Sequence, residues 1–142
     1  MKSVAIFILI ILTISCSGIN YKYENDVAYM NKWYDPTMKK LNADNSDTSI
    51  VFLTGYFEKD SVQIRNGSDI IFNSTISTSP QIGLAWFEVV KNEKAVYVDI
   101  RKSKTGKIKL PVKYLKKYKF VYISDRDDKV LVEYTNKGRA FL

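Results

Sequence analysis

At 142 residues with 46% apolar content, the chain has room for one domain with a real core and too little for two. It contains no His and a single Cys, Cys16, so Ser-His-Asp and Cys-His dyads, His/Cys zinc sites and a disulfide framework are excluded by arithmetic. Lys plus Arg (22) outnumber Asp plus Glu (15), which points to anionic partners.

Residues 1–16 read as an export signal. Lys2 supplies the positive start, and Val4-Ala5-Ile6-Phe7-Ile8-Leu9-Ile10-Ile11-Leu12 is an unbroken apolar run. The apolar stretch, residues 4–14, is well short of the roughly 20 residues that a spanning helix needs. The segment Leu12-Thr13-Ile14-Ser15-Cys16-Ser17 resembles the lipobox of bacterial lipoprotein precursors, with a small residue before the Cys. Leu12 stands four residues before Cys16 where that pattern has three, which leaves Thr13 in its place. The resemblance covers residues 1–16 only. It implies removal of residues 1–15 and acylation of Cys16 by palmitate-type chains, which would tether the protein to a membrane and leave it facing the periplasm or exterior of the cell envelope. The alternatives are plain secretion, with cleavage after Ser17 on the small-x-small pattern Ser15-Cys16-Ser17, and an apolar N-terminus without a targeting role. Either export route removes nucleic acid from the partners. A net charge of +6 after loss of Lys2 then suits anionic lipid, lipopolysaccharide or polysaccharide.

Residues 16–47 read as a lipidated N-terminus and tether, rich in Asn, Asp, Lys and Tyr and without strand alternation. Tyr23, Val27, Met30 and Tyr34 recur at helical spacing, and Asp35-Pro36 is an N-cap followed by Pro, opening a short helix over 37–41. Their aromatic residues, with Trp33, are expected to cover an edge or end of the succeeding domain. From residue 48 the period is two, with Gly, Asn, Asp or Pro between segments. Strands are expected over 49–57, 61–65, 69–76, 82–90, 95–101, 107–112, 118–124 and 130–135. Eight strands without an intervening helix make residues 48–142 an all-β domain, an antiparallel sandwich or small barrel.

Two hairpins carry register arguments. A two-residue Asn66-Gly67 turn would set Ile64 opposite Asp69. A three-residue loop Arg65-Asn66-Gly67, with Gly67 left-handed, pairs Val62 with Ile70 and is preferred. A loop over 102–106 sets Arg101 opposite Lys107, Asp99 opposite Lys109 and Tyr97 opposite Pro111. Val96, Val98 and Ile100 then face inward with Ile108, Leu110 and Val112, and Pro111 marks an edge strand.

Charge is bipolar along the chain: residues 91–142 carry +9 and residues 16–90 carry −3. Arg101, Lys102, Lys104, Lys107 and Lys109 converge at one hairpin as a candidate anion-binding surface, with Lys113, Lys116, Lys117 and Lys119 further along. The competing reading is a Lys-protected sheet edge. Asp125-Arg126-Asp127-Asp128 lacks the oxygen spacing and central Gly of a calcium loop and reads as a turn. Among Glu58, Asp60, Glu88, Asp99 and Glu133 no spacing singles out a catalytic pair, so no catalytic residue, metal or cofactor is assigned. Trp86, Tyr97, Tyr114, Tyr118, Tyr122 and Tyr134 form either a sugar-stacking platform or, more in keeping with a small all-β domain, core. Asp60-Ser61-Val62 resembles an O-glycosylation site of bacterial envelope proteins, while Asn66-Gly67-Ser68 and Asn73-Ser74-Thr75 read as turn and strand. The sequence therefore favours a non-catalytic binding module, with a scaffolding or assembly protein as the alternative and a carboxylate hydrolase behind both.

Overall fold

The computed structural model of the chain describes residues 18–24, 35–102, 106–126, 129–139 and 141. In chain order its elements are β1 (Ile19–Tyr23), α1 (Asp35–Lys40), β2 (Thr48–Gly55), β3 (Asp60–Asn66), β4 (Asp69–Ile76), β5 (Leu84–Lys91), β6 (Val96–Ile100), β7 (Lys107–Leu110), α2 (Val112–Lys117), β8 (Phe120–Arg126) and β9 (Lys129–Thr135). All eight segments with period-two alternation are strands, with ends moved by at most two residues. Together with β1 they form a five-stranded sheet, β1-β9-β8-β2-β5, and a four-stranded sheet, β4-β3-β6-β7. The two pack face to face as an all-β sandwich, and neither closes into a barrel.

Alternation builds the space between the sheets. Val51 and Leu53 of β2, Val121 and Ile123 of β8 and Val130 and Val132 of β9 meet Val62 and Ile64 of β3 and Val96 and Val98 of β6, all fully buried. A second apolar layer covers the other face of the five-stranded sheet, where Ile50, Phe52, Phe120 and Tyr122 lie under Met38 and Ala43, with Phe141 beside them. Phe52 stacks on Tyr122 at 4.9 Å between ring centroids. The end of α1 directs Ala43 inward. Asn42 adopts φ +51°, and the amides of Asn42 and Ala43 donate to the carbonyls of Lys39 and Met38, the two bonds that close a helix C-terminus.

Several features differ from the sequence reading. The five-stranded sheet is mixed rather than antiparallel, because β2 runs parallel to β8 and β1 parallel to β9. Residues 19–23, expected as tether, form β1 along the edge of β9, so Tyr23 ends a strand instead of starting a helical stripe. The helix expected over 37–41 is α1, running from Asp35 to Lys40. Val112 opens α2 rather than closing a strand, because Pro111 has no N–H to offer β6 and its extended backbone leads into the helix.

Both hairpin registers also shift. Asn66 belongs to β3, and its side chain is held inward, with Nδ2 donating to the Lys91 carbonyl at 3.0 Å and Oδ1 accepting from the Lys91 amide at 2.7 Å. Asn66 therefore pairs with Asp69 across Gly67 and Ser68, and an irregularity beyond Arg65 sets Ile64 opposite Phe72 and Val62 opposite Ser74, not Ile70. In the β6–β7 hairpin, Asp99 stands opposite Lys107 and Tyr97 opposite Lys109. A shift of two keeps Val98 facing in with Ile108, and it replaces the expected Arg101–Lys107 clash with opposite charges. β7 is an edge strand, as Pro111 led one to expect.

Candidate functional site

One end of the sandwich gathers the connections that a binding site would use. Gly55 at the end of β2 lies beside Asp125 near the end of β8, Arg126 pairs with Lys129 across the β8–β9 hairpin, and Ile19 at the start of β1 pairs with Val130. The connection from β2 to β3 and the one from β4 to β5 are bonded together at this end, with the Phe57 amide donating to Thr78 Oγ1 at 3.0 Å. The start of β3 pairs with the last residues of β6, so Arg101 and Lys102 arrive at this end as well.

Gly55 decides how the chain leaves β2. Its φ is +97°, and a Cβ there would come within 2.9 Å of the Asp125 carbonyl oxygen, so only glycine fits without backbone movement. The turn lets the Tyr56 amide donate to that same carbonyl at 3.2 Å and throws the Tyr56 ring outward, where it is 70% exposed. The Arg126 guanidinium lies 5.8 Å from its centroid.

Beside Tyr56 the five-stranded sheet forms the floor of a groove of about 990 Å³. Thr54, Ser124, Leu131 and Glu133 lie along the floor, and Tyr56, Ile82, Arg126, Lys129, Arg139 and Phe141 line the sides. Ile82 is 43% exposed. Glu133 is nearly buried, with Arg139 Nη2 2.8 Å from Oε2 and Lys22 Nζ 3.3 Å from Oε1. Burial alone would raise the Glu133 carboxyl, but the hydrogen bonds and charges of Arg139 and Lys22 outweigh it and hold it below the usual carboxylate range. Arg139 is fixed further by its guanidinium 4.1 Å from the centroid of the Tyr122 ring and by its amide donating to Tyr122 Oη at 2.9 Å. The groove thus offers an aromatic face, an apolar side chain and fixed cations around a carboxylate that is already engaged. That arrangement suits an anionic or polyhydroxylated ligand better than general acid catalysis.

The basic residues singled out from the sequence are divided by the fold. Arg101 and Lys102 are exposed at the groove end, and Lys102 Nζ is 3.4 Å from Oδ1 of the buried Asp60. Lys107 faces Asp99 across the strands, and Lys109 Nζ lies 5.9 Å from the Tyr97 ring, which Arg65 also approaches. Lys113 and Lys117 sit on α2 at the far end, over Tyr114 and Tyr118. Lys119 turns inward and donates to the carbonyls of Asn45 and Thr48, and burial lowers its pKa. Cys16, Lys104, Trp33, Asp127 and Asp128, with the positions Val27, Met30 and Tyr34, lie outside the described residues.

The aromatic residues do not form one platform. Tyr118, Tyr122 and Tyr134 are core, Tyr97 is on the outer face of the four-stranded sheet, and Trp86 stacks on Phe72 at 4.7 Å while donating to Glu88 Oε1. Asp60 of the Asp60-Ser61-Val62 motif is buried and accepts from the Glu58 amide, which explains it as a strand start. Sequence reasoning missed Tyr56, Ile82 and Arg139. The one local signal was Gly55 immediately before an aromatic residue, and Arg139 reaches the groove only through tertiary packing. The chain matches no protein-family model and has no significant match among curated proteins.

Proposed function

We propose that the protein is a lipid-anchored lipoprotein of the cell envelope, facing the periplasm or exterior and acting as a non-catalytic binding module for anionic envelope polymers or glycans. The groove beside Tyr56 carries the binding part of this reading. An exposed aromatic ring accompanied by Arg126, with Lys129 and Arg139 close by, combines a stacking face for sugar rings with cations for phosphate or carboxylate groups. The β6–β7 hairpin fits a protected edge better than a second site, because Asp60 and Asp99 stand against Lys102 and Lys107.

Retention on immobilised anionic envelope polysaccharide, measured in detergent, should fall about tenfold in Tyr56→Ala, the effect expected for loss of a stacking ring. It should weaken as salt rises and fall again in Arg126→Glu. Unchanged retention in both variants would remove the groove from the proposal. The anchor is tested by mass spectrometry of the membrane fraction. The expected product is an acylated N-terminal fragment beginning at Cys16, and a soluble product starting at Gly18 would rule the anchor out.

A further inference from the structure

We infer that the groove end of the sandwich lies against the bilayer, with Tyr56, Ile82, Arg101, Arg126 and Lys129 contacting anionic phospholipid headgroups. This rests on the lipid-anchor reading and narrows the groove's ligand to headgroups, which would occupy Tyr56, Arg126 and Lys129 in place of a free polysaccharide, whereas an anchor alone leaves the domain free to stand off the membrane. The fold leaves little slack for that. The Gly18 carbonyl already accepts from the Val130 amide at 2.7 Å, so the chain is held to the start of β9 only two residues after Cys16. Two residues span at most about 7 Å. An acylated Cys16 at headgroup depth therefore brings the start of β1, and every connection beside it, to the membrane surface.

The composition of that end suits the contact. Among the described residues of the connections at that end, Lys59, Arg101, Lys102, Arg126 and Lys129 stand against Glu58. Tyr56 and Ile82, 70% and 43% exposed, add an amphipathic ring and an apolar side chain of the kind that sits at headgroup level. Charge alone does not choose this end, since Lys113, Lys116 and Lys117 make the α2 end basic too. The point at which the chain enters the fold chooses it.

The full-length acylated protein, reconstituted in vesicles of phosphatidylglycerol and phosphatidylcholine, provides the test. Acylation leaves Cys16 without a free thiol, so a fluorophore attaches only to an introduced Ile82→Cys or to Ser68→Cys in the exposed turn at the opposite end. Lipids with nitroxide headgroups should quench the label at position 82 strongly and the label at position 68 weakly; equal or reversed quenching overturns the docking. A second measurement uses Cys16→Ser protein added to the same vesicles. Reversing Arg101, Arg126 and Lys129 to Glu should cut its binding about tenfold or more, with an unchanged urea melt showing that the fold is kept, and equal binding overturns the headgroup contact. If Cys16 proves unacylated while vesicle binding still depends on these residues, the anchor fails and the docking face stands. If Cys16 is acylated and quenching shows no preference, the docking fails and the anchor stands.

Discussion

Strands β3, β6 and β7 of the four-stranded sheet bury every second residue and turn Gln63, Tyr97 and Lys109 outward, whereas β2, between β8 and β5 in the five-stranded sheet, buries six consecutive residues. The difference lies in what covers each sheet. Among the described residues, the four-stranded sheet has a partner on one face only. The five-stranded sheet packs against its partner on one side and against α1, Ala43 and Phe141 on the other, so Phe52 and Phe120 are as necessary as Val51 and Val121. A run such as Ile50-Val51-Phe52-Leu53 is thus the mark of a strand covered twice, the pattern expected of parallel pairs like β2 and β8. The groove lies where the second cover stops, beyond Phe141, and there the exposed sheet face turns polar.

The largest effect should come from the twice-covered sheet. Phe120→Ala, at a fully buried position under α1, should lower stability by about 3–5 kcal/mol in urea unfolding. A loss below about 1 kcal/mol would mean that the outer layer is not packed, and the contrast between the sheets would break. A smaller effect is expected at the rim of that layer. Arg139→Ala removes a partner of the nearly buried Glu133 and should cost about 1–3 kcal/mol at neutral pH. Because the folded Glu133 carboxyl is held below its unfolded value, the contribution of its pairing is present above that unfolded value and disappears as pH falls through the folded one. The gap between wild type and Arg139→Ala should therefore narrow below about pH 4, and a constant gap would show that Arg139 acts through packing on Tyr122 instead. The smallest effect belongs to the uncovered face of the four-stranded sheet, where Gln63→Ala should change stability by no more than about 0.5 kcal/mol in the same urea titration. A larger loss would show that something covers this face as well.

How much of the molecule was legible depended on how local each signal is. The strands are written in short-range alternation, and a shift of register by two leaves it intact, so the inward set Val96, Val98, Ile108 and Leu110 was correct even though the partner of Asp99 was not. β1 escaped because Ile19-Asn20-Tyr21-Lys22-Tyr23 is a half-polar edge strand whose pairing partner, β9, is more than a hundred residues away. α2 escaped because six residues with one buried side chain, Leu115, are too few to show a helical period. The site was the least legible part. Lysine density drew attention to residues 101–109, while the groove is assembled from Tyr56, Ile82, Arg126 and Arg139, which no local pattern connects.

By itself the sequence determined the all-β class, the eight alternating strands, the exclusion of His- and disulfide-based chemistry and the edge position of β7. Each of these depends on residue type or on spacing within a few positions. Tertiary structure alone decided that β2 lies beside β8 and β1 beside β9, that Asn66 is an inward strand residue, and that Arg139 reaches Glu133. Those outcomes depend on which distant surfaces meet. A chain segment carries its own periodicity, but the identity of what will cover it is set by the packing of the whole fold.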